Sequence, residues 1–425
     1  MGVVTPIGWG YEAFRDALRT GRSGVRRIRA FDCTGLSTQI AAEVDDAHGD
    51  LLTWIEPRKS AKLMSRAALF AAAAAGMARR QAMLGRDAVD PRRFGVVVGA
   101  GGMGPTDLDM LTSQAEATID AAKEGDADRW DIPAFARVFG ERTNPIAVLR
   151  GLPNLAAAHV AIQNDARGPN ATITTACCAG TQAIGEGLRL IQRGDADVVL
   201  AGGTDAAVTP VSVLGFSLLG ALSRCNDDPG RASRPFDRGR DGFVIGEGAG
   251  FVVLERESFA VARRAPIIAE LAGFGRTCDA YRITDERPDA EGASHAIDLS
   301  LRDAHMEPRE LGYINAHGTG TRMNDVTETR AIRRSFGAHA DSLPVSSTKS
   351  MTGHLLAAAG AVELAAALIA LKDDFLPPTI NLDDPDEECD LDYVPNVARA
   401  ASPAAAMSTS FGFGGQNACL VIRRW

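Results

Sequence analysis

The sequence lacks any excess of basic residues. Against 54 Asp and Glu residues it has 45 Lys and Arg residues, which gives a formal net charge of −9 over 425 residues. This balance argues against broad nucleic-acid binding, because that function needs a basic surface to replace the counterions of phosphate groups. Arginine supplies most of the positive charge, and lysine occurs only at Lys59, Lys62, Lys123, Lys349 and Lys372.

Paired cysteines, a secretion signal and a membrane span are also missing. The seven cysteines show no CxxC spacing, so neither a disulfide framework nor a metal site is expected. The opening residues, MGVVTPIGWG, contain no basic segment followed by an apolar one, which favours a cytoplasmic protein. The most apolar long stretch, residues 355–371, carries Glu363 and is rich in Ala and Gly; we predict a buried helix there.

Short apolar runs alternate with helical patterns along the chain. Apolar residues at helical spacing over residues 63–77 predict an amphipathic helix. Alternating strands and helices indicate an α/β architecture, in which two comparable halves meet near residue 254. Residues 104–144 are charged and lack a strong apolar period, so we expect them to leave the core. Buried strands are predicted at residues 94–99, 198–202, 250–255, 266–272 and 312–316.

Cys177 lies where an apolar, β-branched run changes into a helical pattern, within NATITTACCAGTQAIGEGL. A thiol at a helix N-terminus is suited to nucleophilic chemistry, because the free amides and the helix dipole stabilise a thiolate. The same amides can bind the oxyanion of a tetrahedral intermediate. Cys178 shares this position, and the residues alone do not choose between the two thiols.

Several segments, in order along nearly the whole chain, resemble the β-ketoacyl-acyl carrier protein synthases. They are TTACCAGTQAIG around Cys177, RPFDRGRDGFVIGEGAG at residues 234–250, NAHGTGTRMNDVTE at 315–328, SSTKSMTGHLLAAAGAVE at 346–363, PPTINLDDPDEECDLDYVP at 377–395 and the C-terminal SFGFGGQNACLVI. The similarity is greatest to elongating condensing enzymes of type II fatty acid and polyketide synthesis.

The resemblance implies the thiolase-like fold, with two related α/β halves packed as a five-layered α-β-α-β-α core. Residues 1–254 would form the half with the nucleophile, and residues 255–425 the half with two histidines and a lysine. It also selects Cys177 over Cys178 as the nucleophile. His317 and His354 would donate N–H bonds to a thioester carbonyl and stabilise the enolate left by decarboxylation. The other five histidines are expected to be structural.

The same resemblance implies supporting roles for other residues. Lys349 would set the local electrostatics, acting through Asp325 or Glu328. Phe413 would complete the oxyanion hole with its backbone N–H, and its ring would gate the entry of the second substrate. The neighbouring Phe411 is expected to pack in the core.

The implied reaction is a decarboxylative Claisen condensation. Cys177 would take an acyl group from acyl carrier protein, and a malonyl thioester would then lose carbon dioxide and attack it. No redox cofactor or metal is implied. Because carrier proteins are acidic, we expect a local basic docking surface, with a homodimer as the assembly or a heterodimer with a related subunit. The candidate docking residues are Arg58, Lys59, Lys62 and Arg66.

Other functions share some of these features. A standalone ketosynthase of a polyketide or aryl polyene pathway would carry every motif quoted above, and its chain-length specificity would depend partly on residues 104–150. A thiolase or a Cys-His acyl hydrolase also uses a thiolate with histidine, but Cys419 lies in a strand-like run, NACLVI, unlike a second thiolase cysteine. A chain-length partner subunit would normally lack Cys177.

Two departures from the family pattern stand out. Arg322 follows GTGT where these enzymes commonly have Pro, which predicts a change at the mouth of the site. The chain also starts within a motif that a strand usually precedes, so we expect the first strand to be absent.

Overall fold

Two main β-sheets, each with helices on both faces, form the centre of the protein. The computed structural model describes residues 1–101, 108–124 and 131–425, without the side chains of residues 108–111, 123 and 124. Up to residue 255 the strands are β1 (Gly2–Thr5), β2 (Gly8–Trp9), β3 (Val25–Arg27), β4 (Ile40–Ala42), β5 (Phe94–Ala100), β6 (Asn170–Ile173), β7 (Val198–Ala206) and β8 (Glu247–Glu255). The helices are α1 (Gly10–Thr20), α2 (Arg66–Gln81), α3 (Leu108–Glu124), α4 (Ile132–Arg142), α5 (Ala147–Arg150), α6 (Asn154–Asn164), α7 (Ala179–Gln192) and α8 (Pro210–Leu218).

The remainder of the chain repeats this alternation. Its strands are β9 (Ala269–Cys278), β10 (Ile314–Asn315), β11 (Val345–Ser346), β12 (Phe375–Leu376), β13 (Arg399–Ala400), β14 (Ala405–Gly412) and β15 (Gln416–Arg424). Its helices are α9 (Glu257–Ala262), α10 (Glu291–Asp303), α11 (Arg322–Phe336), α12 (Lys349–Thr352) and α13 (Ala359–Asp373).

The two main sheets are both mixed. The first has the order β2-β1-β8-β7-β5-β6, with β5 parallel to β6 and β7 and with β8 antiparallel to its neighbours. The second has the order β11-β10-β14-β15-β9, with β10 parallel to β11 and β14 and with β15 antiparallel to β14 and β9. Each sheet therefore combines parallel crossovers with antiparallel pairs.

Five layers result from the way the helices cover these sheets. Helices α2 and α6 pack on the outer face of the first sheet, and α10 and α11 pack on the outer side of the second. Helices α7 and α13 lie between the sheets and contact both. The expected α-β-α-β-α arrangement is confirmed.

Helix α13 is buried on all sides. Every residue from Ala359 to Leu371 is buried, including Glu363. A helix with apolar residues on every face is typical of a protein interior, and here both sheets surround it. Within the described residues, no helix is long and apolar enough to cross a membrane.

Some expectations from the sequence need correction. The opening motif itself supplies a strand, because Gly2–Thr5 form β1, fully buried and antiparallel to β8. The amphipathic helix begins at Arg66, so Leu63 precedes it and is exposed. Part of the segment expected to leave the core lies outside the described residues, and the described parts form α3 and α4, which pack against each other.

Candidate active site

Cys177 lies in the middle layer, on a short turn that leads into α7. The turn Ala176–Cys178 is a single 3₁₀ turn, and Ala176 has a φ of 49°, a left-handed conformation that is costly for a residue with a Cβ atom. The Cys177 side chain is 8% exposed, so the thiol is almost removed from solvent.

His354 contacts the thiol directly. Its Nε2 atom lies 2.9 Å from Sγ of Cys177. The backbone N–H of Leu356 donates to Nδ1 of His354 at 3.3 Å. Because Nδ1 accepts, a neutral His354 carries its proton on Nε2, and that N–H points at the sulfur.

His317 completes the group. Its ring centroid is 5.3 Å from that of His354, and the two rings are nearly perpendicular. Lys349 Nζ donates to Nδ1 of His317 at 3.1 Å and to its backbone oxygen at 2.6 Å. An ammonium group only donates, so Nδ1 of His317 accepts and Nε2 bears the proton. Both imidazoles therefore present an N–H group in the same small space.

Lys349 pairs with Glu363 on α13, not with Asp325 or Glu328, which the sequence led us to expect. Lys349 and Glu363 form an ion pair with side chains 1% and 3% exposed. Burial makes an uncompensated charge costly, so each residue requires the other. Sequence reasoning noted Glu363 only as a charge that argues against a membrane span. A lone carboxylate in an otherwise apolar helix was the signal for a buried partner.

Glu328 holds the backbone around His317. Its carboxylate accepts from the backbone N–H groups of His317 at 2.8 Å and Gly318 at 2.7 Å, and from the hydroxyl of Thr409 at 2.7 Å. Burial raises the pKa of Glu328 to about 7, although these three donors oppose the shift. Glu328 thus fixes the position of His317 without touching Lys349.

Asp325 supports the same loop from the first turn of α11. It accepts from the backbone N–H groups of Gly320 at 3.2 Å and Phe236 at 2.8 Å, and it pairs with the buried Arg240 at 3.3 Å. Arg322, the departure from the family pattern, is the exposed first residue of this helix.

Burial dominates the protonation of the site. It raises the pKa of Cys177 to about 12, while the charge of Lys349 and a hydrogen bond from the backbone N–H of Phe413 oppose this shift. In the resting protein, desolvation therefore disfavours the thiolate that the amides at the start of α7 are expected to stabilise. Burial, followed by the charge of Lys349, lowers the pKa of His317 and of His354 well below the usual value, so both imidazoles are neutral.

Phe413 lies beside the thiol, in the loop between β14 and β15. Its side chain is 36% exposed, whereas Phe411 is 2% exposed and packs 6.1 Å from the His317 ring. Gly414, at a φ of 83°, turns the chain after Phe413 and donates its N–H to the carbonyl of Ile283 at 2.7 Å. The two phenylalanines thus have different surroundings, one at the mouth and one in the core.

Cys178 points away from the histidines. Its Sγ atom lies 3.1 Å from the backbone oxygens of Ser410 and Gln416, and the residue has no exposed surface. Burial, together with the neighbouring Cys177, raises its pKa well above the usual value. This thiol serves packing between α7 and the second sheet.

The four residues expected to dock a carrier protein differ in their availability. Arg66 forms a two-point ion pair with the buried Glu247, although its own side chain is 47% exposed. Arg58 pairs with Asp50 at the surface. Lys59 and Lys62 are exposed on the turn Arg58–Leu63.

Three side chains of the site also meet the geometric requirement for a metal ion. The ligand atoms of Cys177, His317 and His354 lie within 4.8 Å of one another. A metal would need the lone pair of each Nε2 atom, yet the contacts at both Nδ1 atoms place a proton on each Nε2. The arrangement is therefore that of two hydrogen-bond donors beside a thiol.

Comparisons with known proteins agree with this geometry. Residues 1–260 match the family model of the β-ketoacyl synthase N-terminal domain, and residues 268–383 match that of the C-terminal domain. The chain is 43% identical over 425 residues to 3-oxoacyl-[acyl-carrier-protein] synthase 2 of Synechocystis sp., covering 100% of this chain and 97% of the relative. It is 42% identical over 424 residues to the protein of the same name from Coxiella burnetii, with the same coverage.

Solved structures show the same architecture. The ketosynthase and acyl-carrier protein complex AntDE:AntF, of a type II polyketide synthase, gives a TM-score of 0.85 at 34% identity, covering 100% of this chain and 97% of that chain. The ishigamide ketosynthase/chain length factor gives a TM-score of 0.87 at 34% identity with the same coverage.

Proposed function

The chain belongs to the β-ketoacyl synthase family, and from that premise we propose that it condenses a Cys177-bound acyl group with malonyl-acyl carrier protein to form a β-ketoacyl-acyl carrier protein. The observation that carries this proposal is the group formed by one thiol and two neutral imidazole N–H donors, with His354 Nε2 at 2.9 Å from the sulfur.

In the first half-reaction, the sulfur of Cys177 attacks the thioester carbonyl of an acyl carrier protein. The N–H of His354 stabilises the developing thiolate, which burial otherwise disfavours. Backbone N–H groups of Cys177 and Phe413 receive the carbonyl oxygen as it becomes an oxyanion. Collapse of the intermediate breaks the bond to the carrier sulfur, which leaves with the thiol proton, and Cys177 holds the acyl group.

In the second half-reaction, the thioester carbonyl of the malonyl group accepts N–H bonds from His317 and His354. Loss of carbon dioxide leaves its bonding electrons on an enolate, whose oxygen these two donors stabilise. The enolate carbon attacks the thioester carbon on Cys177. The cysteine sulfur leaves and takes up a proton from solvent, and the product is two carbons longer.

Lys349 and Glu363 position this machinery. Lys349 binds both the ring and the backbone oxygen of His317, and Glu363 neutralises its charge in the interior. Since Lys349 blocks Nδ1 of His317, that ring stays in the tautomer that donates from Nε2.

We also propose that Lys59 and Lys62, with Arg58, form the docking surface for the acidic carrier protein. They lie on one exposed turn and their charges face solvent, which suits steering of an acidic partner. Arg66 is also exposed, but we expect it to contribute less because its guanidinium is paired with the buried Glu247.

For the assembly we propose a homodimer formed along β6, with a heterodimer as the alternative. Strand β6 is at the edge of the first sheet, and its first two residues are exposed. An open strand edge is a template for pairing with another chain. On α8, Val211, Leu214 and Leu218 form an exposed apolar row at helical spacing.

Two further proposals concern organisation and location. We place the boundary between the halves at residue 254, within the last residues of β8 and ahead of α9. We place the protein in the cytoplasm, because a nucleophilic thiol works only in its reduced form and that compartment keeps thiols reduced.

One incubation tests the proposed reaction. The protein is given acyl-loaded and malonyl-loaded carrier protein, and both carbon dioxide and the carrier-bound product are measured. We expect release of carbon dioxide with formation of a β-ketoacyl chain two carbons longer. Release of free acid would indicate a hydrolase, and condensation of acetyl groups without carbon dioxide would indicate a thiolase. A panel of acyl chain lengths in the same assay separates fatty acid from polyketide or aryl polyene substrates.

A further inference from the structure

One buried carboxylate close to the thiol has no part in the mechanism above. Asp205 lies near the end of β7 and is 8% exposed. A Cβ atom at position 101 would lie 2.4 Å from its Oδ2 atom, so only Gly101 leaves space for the carboxylate. The protein therefore keeps a carboxylate in its core, where burying an apolar side chain would cost less free energy.

The carboxylate of Asp205 binds the turn that follows His354. Its Oδ2 atom accepts from the backbone N–H of Ala357 at 3.2 Å, and its Oδ1 atom accepts from the N–H of Ala206 at 2.9 Å. Ala357 lies in the 3₁₀ turn Leu356–Ala358, whose first N–H donates to Nδ1 of His354. Asp205 is thus linked to His354 through two successive residues.

That turn needs such an anchor. Leu356 has a φ of 48°, a left-handed conformation that is unfavourable for a leucine. The turn also packs tightly against β7, because a Cβ atom at Gly203 would lie 2.4 Å from the carbonyl oxygen of Ala357. A relaxed Leu356 would move its N–H away from Nδ1 of His354, and the ring would lose the contact that fixes its tautomer.

We propose that Asp205 is a positioning residue for the decarboxylation half-reaction: through Ala357 it holds the strained Leu356 turn, which keeps the N–H of His354 directed at the reacting atoms. This inference rests on the proposed condensation and adds a residue to its site. Asp205 itself touches neither the thiol nor the substrate carbonyl.

The ionised form of Asp205 performs this role, since a protonated carboxyl replaces one of the two acceptors by a donor. Burial raises the pKa of Asp205 to about 6, its two backbone N–H donors oppose this shift, and the charge of Glu247 on β8 adds to it. Two further groups lie nearby: the thiol of Cys177, whose pKa the charge of Asp205 raises, and Arg150, which lines the same cavity of about 50 Å³. Decarboxylation by the wild-type protein should therefore decline as the pH falls through about 6.

The charge of Asp205 has the opposite effect on the thiol. It raises the pKa of Cys177, although it is not the largest cause of that shift. Asp205→Asn should therefore slow decarboxylation more than thiol alkylation, because removing the charge favours the thiolate and offsets part of what the thiol loses when the N–H of His354 is displaced. A change that merely loosens the fold would not separate the two reactions in this way.

The test compares three variants with the wild type. Asp205→Asn keeps the size but removes the charge, and Asp205→Glu keeps the charge and has the small cavity for its extra methylene. Asp197→Asn is the matched control, because Asp197 precedes the other end of β7 and pairs with Arg93 at the surface. The measurements are decarboxylation of malonyl-acyl carrier protein from pH 5 to 8, and alkylation of Cys177 by iodoacetamide.

For Asp205→Asn we expect kcat of decarboxylation to fall about 10- to 100-fold with KM unchanged, because small displacements of a catalytic group have effects of this size. The decline below pH 6 should disappear, and alkylation should slow much less than decarboxylation. Asp205→Glu should retain most of the wild-type rate of decarboxylation, and Asp197→Asn should retain all of it.

For Asp205→Asn, an unchanged kcat of decarboxylation, or an equal loss of decarboxylation and alkylation, would overturn the inference. If Asp205→Asn does not fold, the decarboxylation rate of Asp205→Glu and the pH profile of the wild type test the inference instead. A wild type that releases no carbon dioxide would instead refute the proposed function.

Discussion

His354 Nε2 lies 2.9 Å from Sγ of Cys177, although the two residues are 177 positions apart in the chain. The contact exists because the N-terminus of α7 and the segment before α13 meet in the middle layer, between the two sheets. The thiol and the imidazole come from different halves, so only the folded protein has the site.

The two histidines should remain neutral through the physiological range. Burial and Lys349 lower the pKa of each ring, so neither should take up a proton between pH 8 and 6, where an ordinary histidine with a pKa near 6.5 would be half protonated. Nuclear magnetic resonance of protein with ¹⁵N-labelled histidine measures this directly. A titration of either ring with a midpoint near 6.5 would show that the donors are not the neutral groups described.

The histidines should differ in the half-reaction they support. His317→Ala should reduce decarboxylation about 100- to 1000-fold, as loss of one oxyanion donor does, yet leave acylation of Cys177 largely intact. His354→Ala should impair both, since His354 is the histidine whose ring contacts the sulfur. Single-turnover acylation and carbon dioxide release, measured separately, distinguish the two variants. Equal profiles would contradict the assignment.

The buried pair of Lys349 and Glu363 gives a prediction about stability. Lys349→Met leaves the Glu363 charge unpaired and should cost about 3–5 kcal/mol in the free energy of unfolding. The double change Lys349→Met and Glu363→Met removes both charges and should recover most of that loss, measured by urea denaturation. Condensing activity should stay low in both variants, since His317 loses its contact in each. A double variant as unstable as the single one would contradict this account.

Phe413 and Phe411 form a matched pair for testing the mouth of the site. Phe413→Ala keeps the backbone N–H, so acylation of Cys177 should persist, while KM for malonyl-acyl carrier protein should change because the half-exposed ring is gone. Phe411→Ala should instead destabilise the protein by about 3–5 kcal/mol, because that ring is fully packed. Denaturation and steady-state kinetics on both variants separate gating from packing.

The docking surface predicts a defect limited to carrier-bound substrates. Reversing charge at Lys59 and Lys62 should raise KM for acyl-acyl carrier protein several-fold at low salt, with less effect at high salt. Acyl groups on free pantetheine should react as before. Charge reversal at the exposed Arg302 and Arg309 is the control, and an equal effect there would show that net charge alone matters.

Much of the fold could be predicted because its signals are local. The β-branched run that forms β5 and the apolar, alanine-rich sequence of α13 reflect burial on both sides, and the structure places both in the interior. Strand bounds were less accurate: the strand expected at residues 266–272 is β9, Ala269–Cys278, because β15 offers a partner along its whole length. Pairing with a strand that is distant in the sequence cannot be predicted from a short sequence window.

The site was predictable in its reacting groups but not in their partners. Cys177, His317 and His354 stood out through their motifs, whereas the partner of Lys349 did not, since Glu363 lies within an apolar helix. The ion pair of Arg66 with Glu247 joins residues 181 positions apart and was also missed. The raised pKa of Cys177 depends on burial from every side, which no single segment specifies.

The identity of the nucleophile is the central claim, and intact-protein mass spectrometry after incubation with acyl-loaded carrier protein tests it most directly. We predict one acyl group on the wild type and on Cys178→Ala, and none on Cys177→Ala, because His354 contacts the first thiol while the second faces the carbonyls of Ser410 and Gln416. An acyl group retained by Cys177→Ala and lost from Cys178→Ala would contradict the account.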